Sequence, residues 1–420
     1  MLLDSSNQPE SIDPHKYSTD IHSPPLWVKK HLHEDGGGKG GAFDLWKKLI
    51  PLNKYLSDPT VTEICINKPE QIIIERATEW EIFDEPLYTY TELENIAIRV
   101  SQWSGQNLCE ETPIISATLP TGERVQICAY SAVLPGHISF TLRKPSTLEI
   151  PLEDFFAAGY CDNTEWISDV NIQEILESRY LTQIQKDVAR ALDERRWHDF
   201  FSFAIEGKQT ILLSGATGTG KTTFMKAMLK RIPSDERLIS IENVNELRLY
   251  EWYLNSVSLF YSSGDVGVSN VNQRHLLESC MRMYPSRIFL AEIINGDEGF
   301  TFLRSIGAGH PGSMTTMHAN TAFQARHQLG VLLKQSEAGS KLDMHQIEKM
   351  LDSISIILQL NVVKIDNKKK RVMTQVHYDP LAPYNRKEES GDIRELINSA
   401  KCLKDTLSEL VNVLKSTTPP

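Results

Sequence analysis

The chain has 420 residues, about 2.8 times a common domain length, so a single small module is excluded and two separate cores are expected. Hydrophobic residues at 40% and charged residues at 24% give the balance of a soluble globular protein, not of a disordered tail. Lys and Arg number 44 against 55 Asp and Glu, and the net charge of −11 opposes a groove for nucleic-acid phosphates.

No apolar run reaches the ~18 residues of a spanning helix. The opening MLLDSSNQPESIDP has neither the basic nor the apolar part of a secretory signal, so a cytoplasmic protein is expected. Residues 1–41 are polar, rich in Pro and His, and end in GGGKGG, where backbone entropy opposes helix and strand; they read as a flexible extension. FDLWKKLIPLNKYL then shows helical spacing, VTEICI and QIIIER show strand character, and LENIAIRVSQWSG predicts a helix stopped by Gly105. With ISATLPTGERVQICAYSAV and HISFTLRKP, residues 42–150 read as a smaller α+β domain.

Residues 151–207 carry apolar positions at three- and four-residue spacing and predict a helical connector. Residues 208–378 alternate strands and helices: TILLS, KTTFMKAMLKRI, RLISI, SVSLFYS, RHLLESCMRM and RIFLAEI. That order implies an α/β domain with a parallel sheet. SIILQLNVVKI and RVMTQVHY flank DNKKK and predict a hairpin whose basic tip is a solvated turn. Residues 379–420 read as a linker and an amphipathic helix, with Ile393, Leu396, Ile397, Leu403, Leu407 and Leu410 on one face and mixed charges opposite. Its docking on its own subunit, a neighbour or a partner stays open. Cys65, Cys109, Cys128, Cys161, Cys280 and Cys402 form no CxxC pair, so they are expected to be small buried hydrophobes.

The sharpest motif is Gly215-Ala216-Thr217-Gly218-Thr219-Gly220-Lys221-Thr222, a complete GxxxxGKT between an apolar strand and a helix that continues through Thr223. Its backbone N–H groups can converge on phosphate, Lys221 can reach the β- and γ-phosphates of ATP, and the Thr222 hydroxyl can ligate Mg2+. Such a loop needs an acid at a neighbouring strand end to hold Mg2+ or orient water, and Glu292 closes the run IFLAE. Glu242 and Glu246 follow RLISI, on the side where parallel strands present ligands. His318, after Thr315 and Thr316 in GAGHPGSMTTMHAN, can offer a neutral imidazole to the γ-phosphate or its water.

GATGTGKT, ISIENVNEL, CMRMYPSRIFLAEI and GHPGSMTTMHA resemble, in order, the phosphate loop, acidic box, Walker B region and histidine box of the secretion traffic ATPases. DPTVTEICINKPEQIIIE, ISATLPTGERVQI and SFTLRKPS resemble the first domain of their type IV secretion members. The resemblance implies a RecA-like P-loop NTPase domain behind the smaller domain, assembled as a homo-hexamer with nucleotide between the domains at the boundary with a neighbour. It also implies that Lys221 and Thr222 bind phosphate and Mg2+, and that Glu292 is the Walker B acid. Glu242 and Glu246 become acidic-box carboxylates, His318 the histidine-box residue, and Arg124 and Arg143 arginines that reach the nucleotide. Partners are then other secretion components at the inner membrane, with peripheral attachment through them and no nucleic-acid ligand. Asn243, Ala291 and Ile294 stand where the family usually carries Asp, Gly and Arg. The reading is an ATPase that powers type IV secretion; the alternatives are a pilus extension or retraction motor, or a weakly hydrolysing nucleotide-dependent platform.

Overall fold

The computed structural model describes residues 42–76, 79–144, 149–261, 271–365 and 368–385, together with Pro25 and Val28. The extension read over 1–41, apart from those two residues and the start of its successor, and the amphipathic helix read after Tyr378 lie outside the described residues, as does Cys402.

The N-terminal body is one antiparallel sheet of six strands: β1 Val61–Ile66, β2 Gln71–Arg76, β3 Glu79–Asp84, β4 Ile114–Thr118, β5 Arg124–Cys128 and β6 Ser139–Arg143. They lie side by side as β3-β2-β1-β6-β5-β4. Alternation along each strand decides its two faces. Ile64, Ile66, Ile72, Ile74, Val125, Ile127, Phe140 and Leu142 are buried in one cluster with Leu45, Leu93, Ile96 and Val100 of the helices Ala42–Leu49 and Tyr90–Trp103. Glu63, Glu75, Arg124 and Arg143 stand on the other face. The helix Tyr90–Trp103 is capped by Thr89, whose side chain accepts from Glu92 N, and ends where Gly105 takes φ 70°.

The C-terminal body carries β7 Glu165–Ile167, β8 Ile211–Ser214, β9 Leu238–Glu242, β10 Ser256–Phe260, β11 Arg287–Leu290, β12 Met314–Met317, β13 Ile356–Ile365 and β14 Lys368–Tyr378. Their order is β10-β9-β11-β12-β8-β13-β14-β7, parallel except for the β13/β14 hairpin. β8, β9, β11 and β12 are buried at every position because helices cover both faces. Ile211, Leu213, Leu238 and Phe289 face one core, and Leu212, Ile239, Ile241, Ile288 and Leu290 face the other. This is the α/β, RecA-like P-loop sheet.

Three readings need correction. Residues 151–207 are not all helical: they include β7, which pairs with β14, and Phe200, Phe201, Val188 and Leu192 share a core with β8. The run Lys368–Arg371 is not the hairpin tip but the first part of β14, paired with Val362–Ile365 of β13. Among the described cysteines only Cys161 and Cys280 are buried; Cys65, Cys109 and Cys128 are half-buried. The sequence places cysteines on strands but does not say which face an edge-side position takes.

Candidate active site

The six parallel strands β10, β9, β11, β12, β8 and β13 end on the same rim, and β12 lies between β8 and β11. Met317 is level with Ser214, so the residue that follows β12 stands beside the loop that follows β8. That register, not any local motif, brings His318 to the phosphate loop and to Glu292.

The loop enters the helix Lys221–Leu229 through Gly220, which caps it in the left-handed region at φ 90° and ψ 22°. At Gly215 a Cβ would lie 2.5 Å from Leu360 O, so only glycine lets β13 brace the loop. At Gly218 a Cβ would meet no atom within 4 Å, so the loop is open on that side. Phe224 N donates to Gly220 O, and the N–H groups of Lys221, Thr222 and Thr223 come before that first intrahelical bond. A triphosphate fits this arrangement: a rank of outward N–H donors, an open face and a lysine.

Lys221 Nζ donates to Gly215 O at 2.6 Å and Ala216 O at 3.2 Å, and lies 3.3 Å from His318 Nδ1. Burial pushes its ammonium down to about 8, against the pull of Glu292 and with a further push from Arg143. His318 Nδ1 also sits 3.0 Å from Gly215 O, and its Nε2 is 2.8 Å from Glu292 Oε1. Lys221, His318 and Glu292 thus form one chain of polar contacts. Glu292 is held from behind, its carbonyl accepting from Gln273 Nε2 at 2.7 Å.

Glu242 and Glu246 are placed differently from each other. Glu242 is fully buried, and its carboxylate accepts from Ser240 Oγ at 2.6 Å, Glu246 N at 2.9 Å and Leu247 N at 2.8 Å. Burial raises its pKa against those three bonds. Its oxygens therefore organise the 243–247 loop. Glu246 is half-buried and close enough to raise the pKa of Lys226, on the helix after the phosphate loop, although burial holds that lysine low overall.

Arg124 and Arg143 reach the site from the other body. They are directly opposite each other on β5 and β6, two like charges at a cross-strand position. Arg124 Nε donates to Asn243 Oδ1 at 3.3 Å. Arg143 lies 3.6 Å from Glu63 Oε1, and its charge is felt by Lys221. Arg143 thus adds its positive charge to that of Lys221, while Arg124 is held at Asn243. Asn243 accepts a hydrogen bond without neutralising Arg124. Ala291 is not among the described residues with left-handed φ, so its backbone does not require glycine. Ile294 is 61% exposed, past the rim. Arg371 was missed from sequence: its Nε donates to Gly218 O at 2.8 Å, so β14 bonds to the backbone of the phosphate loop. In the sequence its basic run reads as a solvated turn, and only the β13/β14 register aims it at the loop.

A P-loop on a RecA-like sheet, with an acid and a histidine on the next strand ends, defines the class as a P-loop ATPase. Residues 179–412 match the family described as Type II/IV secretion system protein, and the chain belongs to it. It is 39% identical to the type IV secretion system protein VirB11 of Bartonella henselae, over 80% of this chain and 94% of that protein. The VirB11 of Brucella suis biovar 1 is 34% identical over 79% of this chain and 89% of its own length. The crystal structure of the VirB11 ATPase from the Brucella suis type IV secretion system in complex with sulphate is 32% identical, covering 81% of this chain and 98% of that one, with a TM-score of 0.44. The fold assignment stands on the strand order, not on that superposition.

Proposed function

We propose that this ATPase hydrolyses ATP with Mg2+ to power assembly of, or transport through, a type IV secretion system. It works as a homo-hexamer docked on other secretion components at the cytoplasmic face of the inner membrane. The observation that carries the reading is the meeting of Lys221, His318 and Glu292 at the ends of β8, β12 and β11. The VirB11 relatives support the secretion context. Among the described residues no helix is long and apolar enough to cross a membrane.

Lys221 moves from its own carbonyls to the β- and γ-phosphates, and the N–H groups of Lys221, Thr222 and Thr223 hold the phosphate oxygens. Thr222 and Glu292 are the residues that would hold Mg2+, whose charge would offset that of the phosphates. Glu292 orients the attacking water, and His318 links it to the loop. Glu242 acts through the loop it ties down, with Glu246 at the end of that loop. Arg124 and Arg143 close over the phosphates and couple their charge to motion of the N-terminal body. The test is phosphate release by the purified protein beside a Lys221→Ala control. ATP-dependent release above the control supports the enzyme; release equal to the control points to the weakly hydrolysing platform.

A further inference from the structure

The register places one row of side chains straight across the N-terminal sheet: Trp80, Glu75, Glu63, Arg143, Arg124 and Thr118, one per strand from β3 to β4. Two acids face each other, then two arginines, and the single unlike pair is Glu63 with Arg143. Charges opposite one another on a sheet interact directly, and like pairs are destabilising. Glu75 is drawn off by the Thr62 hydroxyl, which donates to its Oε2 at 3.0 Å. Glu63 has no such partner: its Oε2 is buried and takes no hydrogen bond, while Oε1 faces Arg143 at 3.6 Å.

We propose that Glu63 is a positioning residue for the ATPase: it anchors Arg143 in the orientation that aims its guanidinium at the phosphate loop. In the anchored position the Arg143 charge already reaches Lys221. A free arginine would be repelled by Arg124 beside it and by Lys221 ahead, so it would turn outward, where it is already 47% exposed along its side chain. Glu63 removes that freedom at the cost of a half-buried carboxylate that takes no hydrogen bond and faces only the Arg143 charge. The groups facing it are Arg143 on β6, Glu75 on β2 and Cys65 two residues along β1, whose thiol is raised by burial and by Glu63. Burial and Glu75 lift the Glu63 carboxyl to about 7 against Arg143, so the anchor gains its full charge as pH rises through neutrality.

This inference rests on the nucleotide role proposed for Arg143. The test uses the full chain and compares KM for ATP in wild type, Glu63→Gln, Arg143→Ala and the double variant, with thermal melts alongside. Glu63→Gln should raise KM roughly three- to tenfold, and the double variant should match Arg143→Ala alone, because Glu63 acts only through Arg143. The ratio of KM for Glu63→Gln to wild type should grow from pH 6 to pH 8, and Glu63→Asp should recover part of the loss. Unchanged KM in Arg143→Ala overturns the reading of Arg143 and the anchor with it. Raised KM in Arg143→Ala with unchanged KM in Glu63→Gln overturns the anchor alone, as does a double variant whose losses add. If Glu63→Gln melts early, Glu63→Asp carries the comparison: an equal melt with KM between the wild-type and Arg143→Ala values supports the anchor, and wild-type KM overturns it.

Discussion

At the scale of single residues, Lys221 holds two backbone carbonyls of its own loop, which on the proposed mechanism it would exchange for phosphate. Lys221→Ala is expected to weaken ATP binding by about 2–5 kcal/mol, the cost of losing one partner of a close charge pair. Calorimetric titration of the variant reads this directly, and unchanged affinity would refute it. Glu292→Gln should retain binding and lose about 10²–10⁴-fold in turnover, since an amide cannot act as a base toward water. The pH dependence has a definite sign. Lys221 titrates near 8 in the protein, and bound phosphate keeps its proton, so binding takes up a proton above that pH and affinity falls as pH rises through it. Between pH 7 and 9 the loss should approach about tenfold. Proton uptake in buffers of different ionisation enthalpy provides the check. The loop lysine, Glu292 and His318 were legible because each sits in a short signature at a strand end. The inward turn of Glu242 was not, since a sequence of acids after a strand does not say whether a carboxylate faces the rim or its own backbone.

Among the elements, β9 and β11 are tied at their entry by a buried ion pair. Arg287 is fully buried; its Nε and Nη2 donate to Glu236 at 2.8 and 2.7 Å, and Nη2 also donates to Ile205 O at 2.9 Å. Burial raises the Glu236 carboxyl, but Arg287 and Lys208 outweigh it and hold it below the usual 4.5. Arg287→Met should cost about 3–5 kcal/mol, because the Glu236 carboxylate loses both guanidinium bonds and keeps only Lys208 Nζ at 3.3 Å, read as a shift in the urea midpoint. For the wild type, the stabilisation from Glu236 is present above pH 4.5 and lost as pH falls through its lower folded value. The strands of this sheet could be read from sequence because burial on both faces makes them continuous apolar runs. β7 could not: Glu165, Trp166 and Ile167 carry no period in so short a segment, and the strand exists only because β14 offers an edge. The basic run of β14 was misplaced for a related reason. Lys369 is exposed on a long hairpin, where polar residues are tolerated inside a strand as readily as in a turn.

For the whole molecule, the informative fact is where the apolar cores stop. Among the described residues the N-terminal cluster contains nothing beyond Leu142 and the two C-terminal clusters nothing before Ile150. What meets between the bodies at the candidate site is polar: Arg124 to Asn243, and Arg143 near Lys221. Asn243→Asp would give Arg124 a charged partner that competes with phosphate. We expect KM for ATP to rise by about fivefold, equivalent to about 1 kcal/mol, and Arg124→Ala in the same background should erase the difference. Particle mass with and without ATP should report six copies if the proposed ring is right, and a monomer under both conditions would count against it.

Among the described residues the two bodies share no apolar core, and that has a mechanical meaning. A lever works when its arm is stiff and its pivot yields. Buried strands packed on both faces supply the stiffness, and a joint built of arginines and an asparagine supplies the give. Such a joint is loosened by salt and tightened by a multivalent anion. On the proposed mechanism, the fuel that is burned would also be the pin that sets the hinge.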